Sequence, residues 1–100
     1  FFFHIYHKGV CGACAKNLTT LRVANVHEFS GHIACDSASN SEIVLPIVID
    51  DSLYGVLDLD STNFNRFQED DQLMLEKLVN ILIKHLKILE MDQEVIVRLD

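Results

Sequence analysis

Residues 42–60 read EIVLPIVIDDSLYGVLDLD, and the fold is decided there. Glu42–Ile49 (EIVLPIVI) is an apolar run, Asp50, Asp51 and Ser52 supply turn residues, and Tyr54–Asp60 (YGVLDLD) returns, so the spacing predicts a β-hairpin. Pro46 has no amide hydrogen to give to a ladder, so the first strand must lie at an edge there, or bulge. In the returning strand, side chains alternate between faces: Asp58 and Asp60 share one, Leu57 and Leu59 the other. Glu42 opens the neighbouring strand and can complete a three-carboxylate cluster with them.

Downstream, Gln68-Glu69-Asp70-Asp71 begins a segment whose apolar residues fall at Leu75, Leu78, Val79, Leu82, Ile83, Leu86 and Leu89. That is the stripe of an amphipathic helix, expected over 68–90. Acidic residues suit the positive end of its dipole, and Lys84 and Lys87 suit the other end. Ile81 and Ile88 lie outside the stripe and offer apolar surface to a partner subunit, so a homodimer is expected. Upstream, His27–Ser41 has the composition of a long loop, suited to an active or binding site. Before it, Leu21–Val26 suits a strand and Ala13–Leu18 a short helix. Gly9 and Gly12 mark a tight turn, and the aromatic and β-branched Phe1–Tyr6 suits another strand. Strand, short helix, strand, loop, hairpin and long helix make an α+β arrangement with a mainly antiparallel sheet.

The 100 residues are enough for a single domain, expected over 1–100, that buries roughly two-thirds of its unfolded surface. Hydrophobic residues are 49% and charged residues 23%, the balance of a globular chain. A net charge of −7, from 15 acidic and 8 basic residues, argues against a nucleic-acid partner, which calls for a basic surface. No run approaches the roughly 18 apolar residues of a membrane span. An odd set of cysteines, Cys11, Cys14 and Cys35, fits reactive or metal-binding thiols in a reducing compartment, hence a cytoplasmic location.

Cys11, between Gly9 and Gly12, falls at the expected start of a helix, where backbone amides favour a thiolate. Cys35 lies in the polar loop, with His32 and Asp36 as opposed modifiers of its pKa. The bland alternative for both cysteines is inert burial. For Asp58 and Asp60 it is a solvated strand face; two carboxylates so close otherwise resist ionising together. His4, His7, His27 and His85 suit surface or packing positions.

Four ordered segments carry a resemblance: Gly9-Val10-Cys11-Gly12, Gly31-His32-Ile33-Ala34-Cys35-Asp36, Ser41-Glu42-Ile43-Val44-Leu45-Pro46, and Gly55-Val56-Leu57-Asp58-Leu59-Asp60-Ser61. Together with Arg66-Phe67 they resemble the free methionine-(R)-sulfoxide reductases, a branch of the GAF family, from about Lys8 to about Ile83. The resemblance implies a GAF-like sheet flanked by helices, truncated at the N-terminus. It implies that Cys35 attacks the sulfoxide sulfur and that Cys11 resolves the sulfenic acid as a disulfide. Glu42, Asp58 and Asp60 then line the pocket for the free amino acid, and a thioredoxin-type reductant reopens the disulfide. No cofactor and no metal is expected.

The chain departs from that family's pattern at several points. Phe1 stands where a third cysteine is common, Cys14 is extra, Ser30 replaces a usual proline, and residues 5–8 lack a frequent glycine. The family's N-terminal helix and first two strands have no counterpart, so exposed sheet edges, marginal stability and weak activity are expected of these residues alone. Two other readings stand beside the reductase. Cys11-Gly12-Ala13-Cys14 is a C-x-x-C, either thioredoxin-like or, with His32 and Cys35, a Cys₃His zinc set. The chain also suits a non-catalytic GAF module that binds a small ligand.

Overall fold

The computed structural model describes residues 9–29, 38–89 and 95–99, with 88, 89 and 95–99 described as backbone. The expected strand Phe1–Tyr6 and the segment bearing His32, Cys35 and Asp36 lie outside the described residues. The elements are α1 (Gly9–Asn17), β1 (Leu21–Val23), a 3₁₀ turn (Val26–Glu28), β2 (Ser41–Ile49), β3 (Ser52–Ser61), α2 (Glu69–Leu89) and β4 (Val95–Leu99). They build one sheet in the order β1-β2-β3-β4, antiparallel except where β4 runs parallel to β3. The architecture is α+β, as the sequence pattern predicts.

The central hairpin has Ile49 opposite Ser52, so Asp50 and Asp51 form a two-residue turn. Both have positive φ, 52° and 66°, the type I′ geometry that matches the twist of paired strands. Aspartate tolerates this region better than most residues, but a β-branched side chain does not. Asp51→Val is therefore expected to destabilise the fold by about 1–2 kcal/mol, whereas Asp51→Gly is neutral or stabilising. Urea unfolding checks this: the midpoint falls for valine alone, with an unchanged slope.

Pro46 sits as the sequence requires. β1 pairs with β2 only at Glu42–Val44, so among the described residues no strand lies on that side of β2 beyond Val44, and the ladder to β3 shifts register between Ile47 and Val48. Alternation then sorts the side chains. Ile43, Leu45, Ile47 and Leu57 face α2 and pack with Val79 and Leu86, flanked by Leu75, Leu82 and Ile83. Val44 and Val56 face α1 and pack with Val10, Cys11, Cys14 and Ala15. Each large side chain buried this way contributes roughly 1.5–3 kcal/mol.

α2 starts where its sequence prescribes. Asp71 Oδ2 reaches back to accept from the Gln68 amide at 2.8 Å, and Glu69, Asp70 and Asp71 complement the helix dipole. The helix is tied to the first strand region by Thr20 Oγ1 donating to Glu76 Oε2 at 3.2 Å and Arg22 Nε donating to Gln72 Oε1 at 3.1 Å.

Several expectations are corrected. α1 runs from Gly9, whose φ of 69° is the turn conformation that leads into the helix, and Gly12 lies inside the helix and not in that turn; it ends at Asn17, followed by Leu18 in the left-handed region at φ 53°. The first strand stops at Val23, because Asn25 caps a 3₁₀ turn by accepting from the His27 amide at 3.0 Å. Leu78 lies outside the buried stripe at 47% exposure; with Leu73, Met74 and Ile81 it leaves apolar surface open on α2. The helix winds 100° per residue, and position 78 has turned past the sheet-facing arc defined by Val79, Ile83 and Leu86. Finally, β4 pairs in parallel with β3, a strand that the sequence pattern does not announce.

Candidate functional site

Cys11 lies in the first turn of α1. Val10, Cys11, Cys14 and Ala15 form the helix face set on the sheet, and buried Gly12 keeps the helix slim there. Beneath them, the β2–β3 register places Glu42 opposite Asp60 and Val44 opposite Asp58. Glu42, Asp58 and Asp60 therefore share the sheet face that α1 covers, because residues two apart on a strand, and their cross-strand partners, point the same way.

The start of β2, and with it Glu42, is held by a dense set of bonds. Ser41 Oγ donates to the Asn63 carbonyl at 2.6 Å and accepts from the Arg66 amide at 3.3 Å. The Asn40 amide donates to the Ser61 carbonyl at 2.8 Å, and Asn40 Nδ2 donates to the Thr62 carbonyl at 2.7 Å. His27 Nε2 lies 2.9 Å from Asn40 Oδ1 and His85 Nδ1 lies 2.9 Å from the Ile81 carbonyl; both suit the packing role expected of them.

Cys11 Sγ donates to Asp58 Oδ2 at 3.4 Å, a contact bridging 47 positions in sequence. Cys11 and Glu42 are each 6% exposed and Asp58 is 0% exposed. A ligand-type atom from each of the three lies within 4.8 Å of the others. Asp60 is half-buried at the rim. Two enclosed carboxylates beside a thiol form a small buried acidic cluster, of a kind that a cation or an ammonium group would balance. The structure brings together Cys11, Glu42 and Asp58 and puts Asp60 on their face, while Cys35, His32 and Asp36 lie outside the described residues.

Cys14, one turn beyond Cys11, is fully buried, and no disulfide is formed among the described residues. Burial, aided by the charge of Asp58, pushes the Cys14 thiol up to about 12. Such a thiol is protonated at neutral pH and neither attacks nor ligates readily, which weakens the thioredoxin-like and Cys₃His readings of the C-x-x-C. Since the thiolate is the reactive form, iodoacetamide at about pH 8 should label Cys14 roughly a thousandfold more slowly in the folded chain than in urea. Mass spectrometry of the labelled protein measures this, and equal rates would contradict the burial argument. The signal for this second sheet-facing thiol is present in the sequence, because positions 11 and 14 lie on one helix face.

A groove between α2 and β2 is lined by Thr20, Pro46, Val48, Asn80 and Ile83 among others, and includes none of Cys11, Glu42 and Asp58.

A mainly antiparallel sheet with a helix on each face matches a solved GAF domain with a TM-score of 0.75 and 41% identity over 79% of this chain and 45% of that one. The GAF domain model matches residues 2–86, and the chain belongs to that family. Within it, the chain is 52% identical over 77 residues to the free methionine-R-sulfoxide reductase of Escherichia coli, covering 77% of this chain and 47% of that protein. It is 41% identical over 80 residues to the enzyme of the same name from Saccharomyces cerevisiae, covering 79% and 44%. Among solved structures, it resembles the free methionine-R-sulfoxide reductase of Neisseria meningitidis in complex with its substrate, with a TM-score of 0.80 and 41% identity over 82% of this chain and 49% of that one. The chain thus spans about half the length of the curated relatives it matches. No helix among the described residues is long and apolar enough to cross a membrane.

Proposed function

We propose that the chain is the catalytic part of a free methionine-(R)-sulfoxide reductase working in the cytoplasm. The observation that carries this reading is the buried acidic cluster of Glu42 and Asp58 against the Cys11 thiol, in a chain about half identical to an enzyme of that name. Free methionine carries an ammonium group that a peptide-bound residue lacks. Buried carboxylates recognise it through charge-assisted hydrogen bonds, with Asp60 at the rim.

In the proposed sequence the Cys35 thiolate attacks the sulfoxide sulfur. The oxygen passes to Cys35 and takes up one proton from solvent, giving a sulfenic acid while methionine leaves as the thioether, so the substrate is reduced by two electrons and the cysteine oxidised by two. His32 and Asp36 tune the thiolate. Cys11 then attacks the sulfenic sulfur, forming the Cys11–Cys35 disulfide and releasing water. Asp58 Oδ2, 3.4 Å from Cys11 Sγ, is placed to take the thiol proton in that step. A thioredoxin-type dithiol restores both thiols by exchange and is itself oxidised to a disulfide. The open apolar surface of Met74, Leu78 and Ile81 on α2 supports the expected homodimer.

The test is dithiothreitol-driven reduction of the separated epimers of methionine sulfoxide. Turnover of the R epimer alone is expected. Equal turnover of both would overturn the R-specific reading, and none from a folded chain would leave the second reading, a GAF module that binds a small ligand without chemistry.

A further inference from the structure

We infer that the acidic cluster is also a site for a thiophilic divalent cation, of which Zn²⁺ is the natural probe, held by Cys11 Sγ, Glu42 and Asp58. Their ligand-type atoms lie within 4.8 Å of one another, and all three side chains are more than nine-tenths buried. Tetrahedral zinc, with Zn–S near 2.3 Å and Zn–O near 2.1 Å, separates sulfur from oxygen by roughly 3.6 Å. Cys11 Sγ and Asp58 Oδ2 already stand 3.4 Å apart, so this pair needs almost no adjustment.

The scaffold favours the same conclusion. Cys11 comes from a helix and the two carboxylates from adjacent strands locked in register, so the donors are held and not gathered from loops. Two carboxylates and a thiolate together supply three negative charges in an enclosed site, which a dication partly neutralises. One sulfur with two oxygens suits zinc, whereas Mg²⁺ and Ca²⁺ prefer all-oxygen sets. Three protein donors leave a fourth position for water, the pattern of an open zinc site. Cys14 is not a donor here, because its thiol stays protonated at neutral pH. Binding displaces the Cys11 proton, so affinity rises with pH.

Metal binding stands independently of the proposed reductase activity. Inhibition by the metal rests on that activity, since it would claim the thiol and both carboxylates.

The experiment uses the full chain, reduced with a phosphine so that no small thiol competes for metal. Zn²⁺ is titrated by calorimetry, and Co²⁺ is followed by its thiolate-to-metal absorption. Stoichiometric Zn²⁺ binding is expected, together with a Co²⁺ charge-transfer band that disappears in Cys11→Ser. Glu42→Gln and Asp58→Asn should each weaken Zn²⁺ by at least about tenfold, since loss even of outer-shell partners costs 10–100-fold. Cys14→Ser should bind as the parent does. Circular dichroism confirms which variants are folded, and any one folded variant among the three ligands suffices for the comparison. Absence of binding by the folded parent, or a charge-transfer band that persists without Cys11, or affinity unchanged in Glu42→Gln and Asp58→Asn, would overturn the site. Zinc binding with no sulfoxide turnover would overturn the reductase reading alone.

Discussion

Replacing Cys35 by serine is expected to abolish reduction of free methionine-(R)-sulfoxide, by roughly three orders of magnitude or more, because an alkoxyl is a poor nucleophile toward sulfur and no other thiol can stand in. Cys14 is protonated and fully buried, and Cys11 is enclosed between α1 and the sheet in a hydrogen bond to Asp58. Cys11→Ser should behave differently. Oxygen transfer to Cys35 would still occur, so a stoichiometric burst of methionine is released, and then turnover with a thioredoxin-type reductant stalls at the sulfenic acid. Rapid-quench measurement of methionine formed per chain separates the two variants. A burst surviving in Cys35→Ser but lost in Cys11→Ser would reverse the two roles.

The hairpin was the most legible part of the fold, since strand alternation, the Asp50-Asp51 turn and Pro46 each point to the same arrangement. α2 was nearly as clear, because its capping residues and its 3.6-residue period agree. What escaped was tertiary. Nothing local in Val95–Leu99 says that it joins β3 in parallel, although Val95, Ile96 and Val97 are β-branched and suit a strand. The start of α1 was misplaced because Gly9 and Gly12 are poor helix formers, and packing on Val44 and Val56 outweighs their propensity. At the site, strand alternation was enough to group Asp58 with Asp60. The contact of Asp58 with Cys11 depends on α1 crossing that particular face, and only the assembled sheet discloses it. Leu78 shows the opposite failure: a residue that fits the stripe by type lies off its buried arc.

Asp58→Asn is expected to lower kcat/KM for the free amino acid by roughly a hundredfold. The substitution keeps the shape of a fully buried side chain and removes its charge, together with a charge-assisted hydrogen bond whose loss costs about 2–3 kcal/mol. Asp60→Asn should cost far less, since Asp60 is half-buried and water screens it. Asp58 carries two proposed tasks, and the kinetic parameters separate them. Loss of ammonium binding raises KM, whereas loss of proton acceptance from Cys11 lowers kcat with the physiological reductant. The same variant also removes a charge that holds the Cys14 thiol up, so Cys14 should be alkylated somewhat faster, while burial, the larger cause, remains. Unchanged kinetics in a folded Asp58→Asn would remove this residue from the pocket.

The central claim is that the acidic cluster of Glu42 and Asp58 selects a free amino acid for thiol reduction. The most direct measurement compares reduction of methionine-(R)-sulfoxide with that of its N-acetyl derivative by the same chain and reductant. Acetylation leaves the sulfoxide intact and turns the ammonium group into a neutral, bulkier amide, so methionine-(R)-sulfoxide methyl ester, which keeps the ammonium, serves as the control and should be reduced far faster than the N-acetyl form. Reduction of the free form at least about a hundredfold faster is the predicted result. Equal rates would show that the carboxylates do not read the ammonium group, and would contradict the account.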